Sequence, residues 1–153
     1  MMVIRDPEKI EGRSTTGYPA PFAKAVEGRL KRALGDAAGL NQFGINLTTL
    51  APGAASAQRH WHKSEDEFVY VLAGELVLVT DAGEEVLHSG MAAGFPAGEA
   101  NGHQLVNRSG APAAYLEIGT RAADEDVDYP DIDLRVEKRG GKLRYLHKLG
   151  EPY

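Results

Sequence analysis

From Gly44 to Gly119 the chain repeats one phrase: a short apolar or alternating run, then a glycine, a proline or a polar cluster. Runs this short, so punctuated, leave little room for helices and read as strands. Ile45 to Leu50 stops at Pro52-Gly53; Phe68 to Leu72 and Glu75 to Thr80 flank Ala73-Gly74, and Asp81-Ala82-Gly83 marks the next reversal. Glu85 to Leu87, Met91 to Phe95, His103 to Asn107 and Ala113 to Ile118 follow. About eight short strands with tight turns favour a small closed barrel or jelly roll over an open sheet. The expected fold class is all-β: a jelly-roll barrel over 44–119, with an N-terminal arm (1–43) and a C-terminal tail (120–153), in a single domain of 153 residues.

The arms are less regular. Val26, Leu30 and Leu34 recur at helical spacing, but Gly28, Gly35 and Gly39 interrupt it, so residues 23–43 stand open between a short helix and an irregular strand. Beyond Thr120 an acidic stretch, Asp124 to Asp133, precedes a basic one from Arg135 to Lys148. Two solvated segments that attract each other and close over the barrel are expected there. Within the barrel, Phe68 to Leu72 and Leu76 to Val79 are apolar on both faces, more than a one-layer wall needs. Either the arms or a second subunit must cover the outer face, and a homodimer is expected.

Inside this frame sit His60, Trp61 and His62, then Glu67, and much later His103. Side chains at i and i+2 of a strand leave the same face, so His60 and His62 can aim at one ion, with Glu67 facing them from the next strand. Nitrogen and oxygen donors of this kind suit a divalent transition metal, and Zn, Mn, Fe, Ni, Co and Cu all accept them. Glu65 and Asp66 compete with Glu67 as the carboxylate, but Glu67 begins the apolar strand. Gln58 shares the face of His60, and Asn107 that of His103; either is a candidate to hold a ligand imidazole or to touch substrate. His88 and His147 have no partners at ligand spacing and read as surface residues.

Composition excludes several classes. There is no cysteine, hence no disulfide, thiolate metal site or cysteine nucleophile. Lys and Arg number 17 against 22 Asp and Glu, a formal charge of -5 that gives a nucleic-acid role no support. No run approaches a membrane span and the first residues lack the apolar core of a signal peptide, so a cytoplasmic protein is expected.

The run Gly53-(six residues)-His60-Trp61-His62-(four)-Glu67-(six)-Gly74 resembles the first motif of the cupin superfamily, and Gly90-(five)-Pro96-Ala97-Gly98-(four)-His103-(three)-Asn107 resembles the second. One extra residue precedes His60 and two precede His103, both in loops ahead of the ligand strands. The resemblance covers the middle half of the chain and is strongest to small single-domain bacterial cupins. It implies a jelly-roll barrel with one metal ion inside, held by His60, His62, Glu67 and His103, and it implies no particular reaction.

With those ligands pointing inward, Ser56, Gln58, Val69, Val71, Leu105 and Asn107 also face the interior, and none carries a positive charge. Trp61, Met91, Phe95, Tyr18, Phe22 and Phe43 are candidates for an apolar mouth. The expected ligand is a small neutral or weakly acidic molecule that chelates the metal. The expected activity is that of a metalloenzyme of oxygenase or isomerase/lyase type, with Glu67 a candidate for moving a proton; the alternative is a non-catalytic binding or sensing module.

Overall fold

The computed structural model describes residues 1–153. Thirteen strands follow one another: β1 (Gly12–Arg13), β2 (Arg29–Ala33), β3 (Phe43–Leu50), β4 (Trp61–His62), β5 (Glu67–Ala73), β6 (Glu75–Thr80), β7 (Gly83–His88), β8 (Ala92–Phe95), β9 (Gln104–Val106), β10 (Ala113–Thr120), β11 (Glu125–Tyr129), β12 (Leu134–Arg139) and β13 (Lys142–Leu146). One-turn helices α1 (Ala20–Ala23) and α2 (Leu34–Ala37) lie on either side of β2. No helix is long and apolar enough to cross a membrane. The eight strands β3 to β10 occupy the stretch read as strands, and the fold is the all-β jelly roll.

Every strand pairing is antiparallel. One layer has the order β1-β2-β3-β10-β5-β8; opposite it lie β7-β6-β9 and β13-β12-β11-β4. A bridge between His60 and His103 joins these last two sheets. The core fills the space between the layers, with Leu50, Val69, Val71 and Tyr115 from one side meeting Leu76, Leu78, Leu87 and Leu105 from the other. Burying each of these large side chains contributes about 1.5–3 kcal/mol. Gly74 makes the β5–β6 reversal possible: its φ is +76°, and a Cβ there would lie 2.9 Å from that of Ala113.

Residues 23–43, open in the sequence between a short helix and a strand, resolve to strand, and the C-terminal tail differs from expectation. In residues 23–43 the helical spacing of Val26, Leu30 and Leu34 is overridden by pairing: Arg29–Ala33 runs antiparallel to Ala33-facing Asn46 through Leu50 of β3 and extends the main sheet. Helix survives only as the single turns beside it, because a free strand edge offers five residues of backbone pairing that an interrupted amphipathic helix cannot match. The C-terminal tail is not a pair of solvated segments either. Glu125, Val127 and Tyr129 alternate buried with half-buried neighbours, and Val127, Tyr129, Leu134 and Val136 form a second apolar cluster against Tyr18, Phe22, Ile132 and Tyr145. The opposite charges do attract, as in Arg139 to Asp126 and Lys148 to Asp128, each at 2.7 Å, but on strands that complete the fold.

The outer face of β5 remains open. Val69 and Val71 are buried, whereas Phe68, Tyr70 and Leu72 are 42%, 39% and 41% exposed, so neither arm covers them. The arms instead close the end of the barrel near the histidines.

Arg59, one residue before His60, holds that end together. It donates two hydrogen bonds to the Asp131 carboxylate, both 2.7 Å, pairs with Asp81, and donates to the Gly102 carbonyl. Its side chain is 15% exposed but that of Asp131 is 56% exposed, so solvent screens each ion pair and the number of hydrogen bonds on one guanidinium carries the contribution. Arg59→Ala is expected to lower stability by about 1–2 kcal/mol in urea unfolding. The Arg59 hydrogen bonds depress the Asp131 carboxyl, so their contribution is present above the unfolded carboxyl range and lost as pH falls through the folded value. The stability gap between wild type and Arg59→Ala should therefore narrow as pH drops below about 4.

Candidate metal centre

His60 and His103 are brought together by backbone pairing. The His60 N–H donates to the His103 carbonyl at 3.1 Å and the His103 N–H returns a bond to His60 at 2.8 Å. His62, two residues on, sits in β4 opposite Val127 of β11, so the C-terminal sheet fixes the second imidazole of the His-x-His pair. Glu67 opens β5 on its inward face, between Phe95 of β8 and Gly119 of β10.

The three imidazoles converge on one atom. The Nε2 atoms of His103, His62 and His60 lie 3.1, 3.4 and 3.8 Å from Glu67 Oε2. Ligand atoms each bound at about 2.0–2.2 Å from a metal are themselves about 3–3.5 Å apart, so the spacing fits a shared ion. His60, His62 and Glu67 form a mutually close group, with ligand atoms within 4.8 Å of one another, and His103 joins through the same carboxylate oxygen. The donor set, three nitrogens and a carboxylate, could hold a divalent transition metal.

The surroundings lock these rings. The Gln58 carbonyl accepts a hydrogen bond from His60 Nδ1 at 2.8 Å, which leaves Nε2 for the centre. Phe95 stacks on His103 with ring centroids 3.6 Å apart, and Tyr129 stacks on His60 at 5.6 Å. The Nδ1 atoms of His62 and His103 are buried without a protein partner. Burial pushes the His60 imidazole down to about 3, against the pull of Glu67, so it is a neutral nitrogen donor at pH 7. Burial raises the Glu67 carboxyl, but hydrogen bonds from His103 and His62 outweigh it and hold the group well below the usual range.

Glu65 and Asp66 hold loops in place, and Glu65 also lies with Glu125 close to His62, in a second group whose ligand atoms are within 4.8 Å of one another. Glu65 accepts from the Ala122 N–H and pairs with Lys138, and Asp66 accepts from the Ala97 N–H. Buried Glu125 accepts from the N–H groups of Lys63, Ser64 and Asp126, pinning the loop between His62 and Glu67. Gln58 acts through its backbone; its side chain reaches the Phe22 carbonyl instead. Asn107 does not meet the site. It is fully buried, donates to the Leu50 and Ala111 carbonyls and accepts from Ser109, so it organises the turn after β9.

A cavity of about 210 Å³ lies against the three histidines and Glu67. Ser56, Val69 and Leu105 line it as expected, and Tyr18 and Phe95 border it, whereas Met91, Phe22 and Phe43 do not. Trp61 borders a smaller pocket beside His62 and His103. The expected cation-free lining is overturned: Arg29 and Lys31 enter from β2, with Tyr115 and Glu117 from β10. A second cavity of about 200 Å³, lined without any hydrophobic residue, adjoins the same His62, Glu67 and Glu117. Alternation along β2 and β10 puts Arg29, Lys31, Tyr115 and Glu117 on the inward face. The signal available in the sequence was Glu117 within the apolar run Ala113 to Ile118; nothing in residues 23–43 marked β2 as a wall strand.

The family model for the cupin domain, Cupin_2, matches residues 46–119. A crystal structure of a sugar phosphate isomerase of the cupin superfamily from Silicibacter pomeroyi superposes with a TM-score of 0.93 at 47% identity, covering 97% of this chain and 94% of that one. The chain belongs to the cupin superfamily. A protein from Acidithiobacillus ferrooxidans, assigned provisionally as a sugar phosphate isomerase, gives a TM-score of 0.84 at 29% identity over 97% of this chain and 92% of its own. The polyketide cyclase RemF of Streptomyces resistomycificus, at 24% identity, TM-score 0.64 and coverage of 78% and 80%, shares the fold. No curated protein matches the sequence.

If Glu67 is the carboxylate ligand, Glu67→Gln should lose most bound metal on elemental analysis of the purified protein, while Glu65→Gln keeps it and loses stability instead. The reverse pattern would reassign the ligand.

Proposed function

We propose that this cupin is a metal-dependent isomerase acting on a small phosphorylated sugar. The observation that carries the reading is a guanidinium and an ammonium, Arg29 and Lys31, on the wall of the cavity that the three histidines and Glu67 also line. Phosphate oxygens are suited to a guanidinium, whose planar fork of donors matches their geometry.

Charge supports the same class. Around the cavity Arg29 and Lys31 offset Glu67 and Glu117, so a bound divalent ion would leave a positive interior that a phosphate dianion neutralises. This replaces the neutral or weakly acidic ligand suggested by the sequence, for one physical reason: β2 adds two cations to a wall whose other strands carry none. The likeness to the sugar phosphate isomerase of S. pomeroyi, over nearly the whole of both chains, favours isomerase over oxygenase chemistry.

A divalent ion held by His60, His62, Glu67 and His103 supplies Lewis-acid polarisation of a carbonyl and the hydroxyl beside it. Arg29 anchors the phosphate end, and Phe95 and Tyr129 keep His103 and His60 from turning away. Glu67, with one oxygen facing three imidazoles, serves as a ligand rather than as a mobile proton carrier.

Chelation should abolish isomerisation of a panel of aldose and ketose phosphates, and restoring Mn, Fe, Co, Ni, Cu or Zn one at a time should identify the working ion. In the restored enzyme Arg29→Met should raise KM by about 10–100-fold with metal content unchanged, the loss of one charged hydrogen-bonding group. Failure of every phosphorylated sugar to turn over, across all six metals, would sink the reading.

The uncovered apolar strip of Phe68, Tyr70 and Leu72 is contiguous with half-buried Leu116 and Ile118 on the neighbouring strand, and we propose that a second copy of the chain covers it in a two-fold dimer. Light scattering should give twice the chain mass at micromolar concentration, and Tyr70→Glu should give the monomer.

A further inference from the structure

Glu117 is the one carboxylate on the cavity wall besides Glu67, and its two oxygens are treated differently. Oε1 accepts from Lys31 Nζ at 2.7 Å and from Asn46 Nδ2 at 2.9 Å. No hydrogen bond reaches Oε2 from within the protein. Its side chain is 18% exposed, so the free oxygen is directed by the fold rather than by solvent.

Strand register explains the placement. Glu117 faces Asn46 of β3 on one side and Val69 of β5 on the other, one inward row away from the pair Glu67 and Gly119. The partners of Gly119 and Glu67 in their row include Gly44, which likewise has no side chain. Two side-chain-free positions therefore lie beside the metal ligand, and they line the second cavity. Glu117, His62 and Glu67 border both cavities, so a molecule lying across the histidines passes Glu117 on its way from one to the other.

We propose that Glu117 is the proton-transferring residue of the isomerisation, a role that rests on the isomerase reading above, with Lys31 and Asn46 as positioning residues. Its free Oε2 takes the proton from the carbon that bears the hydroxyl next to the substrate carbonyl. The C–H electron pair becomes the carbon–carbon double bond of an enediolate, while the carbonyl pair moves onto its oxygen. The carboxyl then returns the proton to the former carbonyl carbon, and the hydroxyl proton passes between the two neighbouring oxygens. No atom is gained or lost and no oxidant is needed. Two donors on Oε1 hold the carboxylate in one orientation throughout, which is what proton transfer to two adjacent carbons requires.

The test uses the metal-restored full chain with aldose and ketose phosphates in D2O. Glu117→Gln keeps the size of the side chain and is expected to lower kcat by about 10²–10⁴-fold, with KM and metal content little changed and solvent deuterium no longer entering the carbon beside the carbonyl. Glu117→Asp should recover part of the rate. Lys31→Met should lower kcat with KM and metal content little changed, and Lys31→Arg should restore part of the rate, a split and a rescue that loss of a merely structural ion pair would not produce. A Glu117→Gln enzyme that retains kcat within about tenfold, or still exchanges deuterium, overturns the assignment and leaves the isomerase reading intact. A wild type that neither isomerises nor exchanges any phosphorylated sugar overturns both.

Discussion

Two backbone hydrogen bonds between His60 and His103 hold the candidate metal centre in place. They join residues from distant parts of the chain into one β-bridge, and the same bridge links two small sheets into the layer that faces the main one. Because side-chain direction follows from strand pairing, fixing these two backbones also fixes where the imidazoles point. Glu67 then needs only its inward position on β5 to meet them. The stacking of Phe95 on His103 and of Tyr129 on His60 removes the remaining ring freedom, and Arg59 ties the turns that flank both histidines.

The strands outside the family motifs give this cupin its individual character. β2 widens the main sheet and adds a guanidinium and an ammonium to an interior that would otherwise carry only carboxylates and imidazoles. β11 pairs with the strand of His62, and its Glu125 pins the loop that leads to Glu67. The acidic and basic runs are thus structural on alternate positions: charges pair along the surface while Val127, Tyr129, Leu134 and Val136 bury. A charge run and a half-buried strand are compatible because the strand period sends alternate residues to opposite faces.

The legible part of the fold was the part with strong local punctuation. Glycine and proline between apolar runs marked β3 to β10, and the spacing of His60, His62, Glu67 and His103 survived one and two extra loop residues because loops absorb insertions without changing strand register. The sequence left Asn107 open between a role at the site and a structural one, and the structure shows the structural one. Its position on the inward face is correct, but that face at its end of β9 is packed core, and its amide serves the turn instead of His103. Residues 23–43 were ambiguous because glycines weaken both helix and strand signals, and only the exposed edge of β3 decided between them.

By itself the sequence determined the all-β class and the run of eight strands, since these follow from period and turn chemistry, which are local properties, while the resemblance of its two motifs implied the four residues that meet at the centre. The tertiary structure alone decided that Arg29 and Lys31 face the histidines, that Glu117 offers one free oxygen between two cavities, and that Glu65 and Asp66 are spent on the loops. Those facts depend on which edge a strand joins and which backbone group a carboxylate meets. Such contacts are formed between segments far apart in the chain, where no local pattern records them.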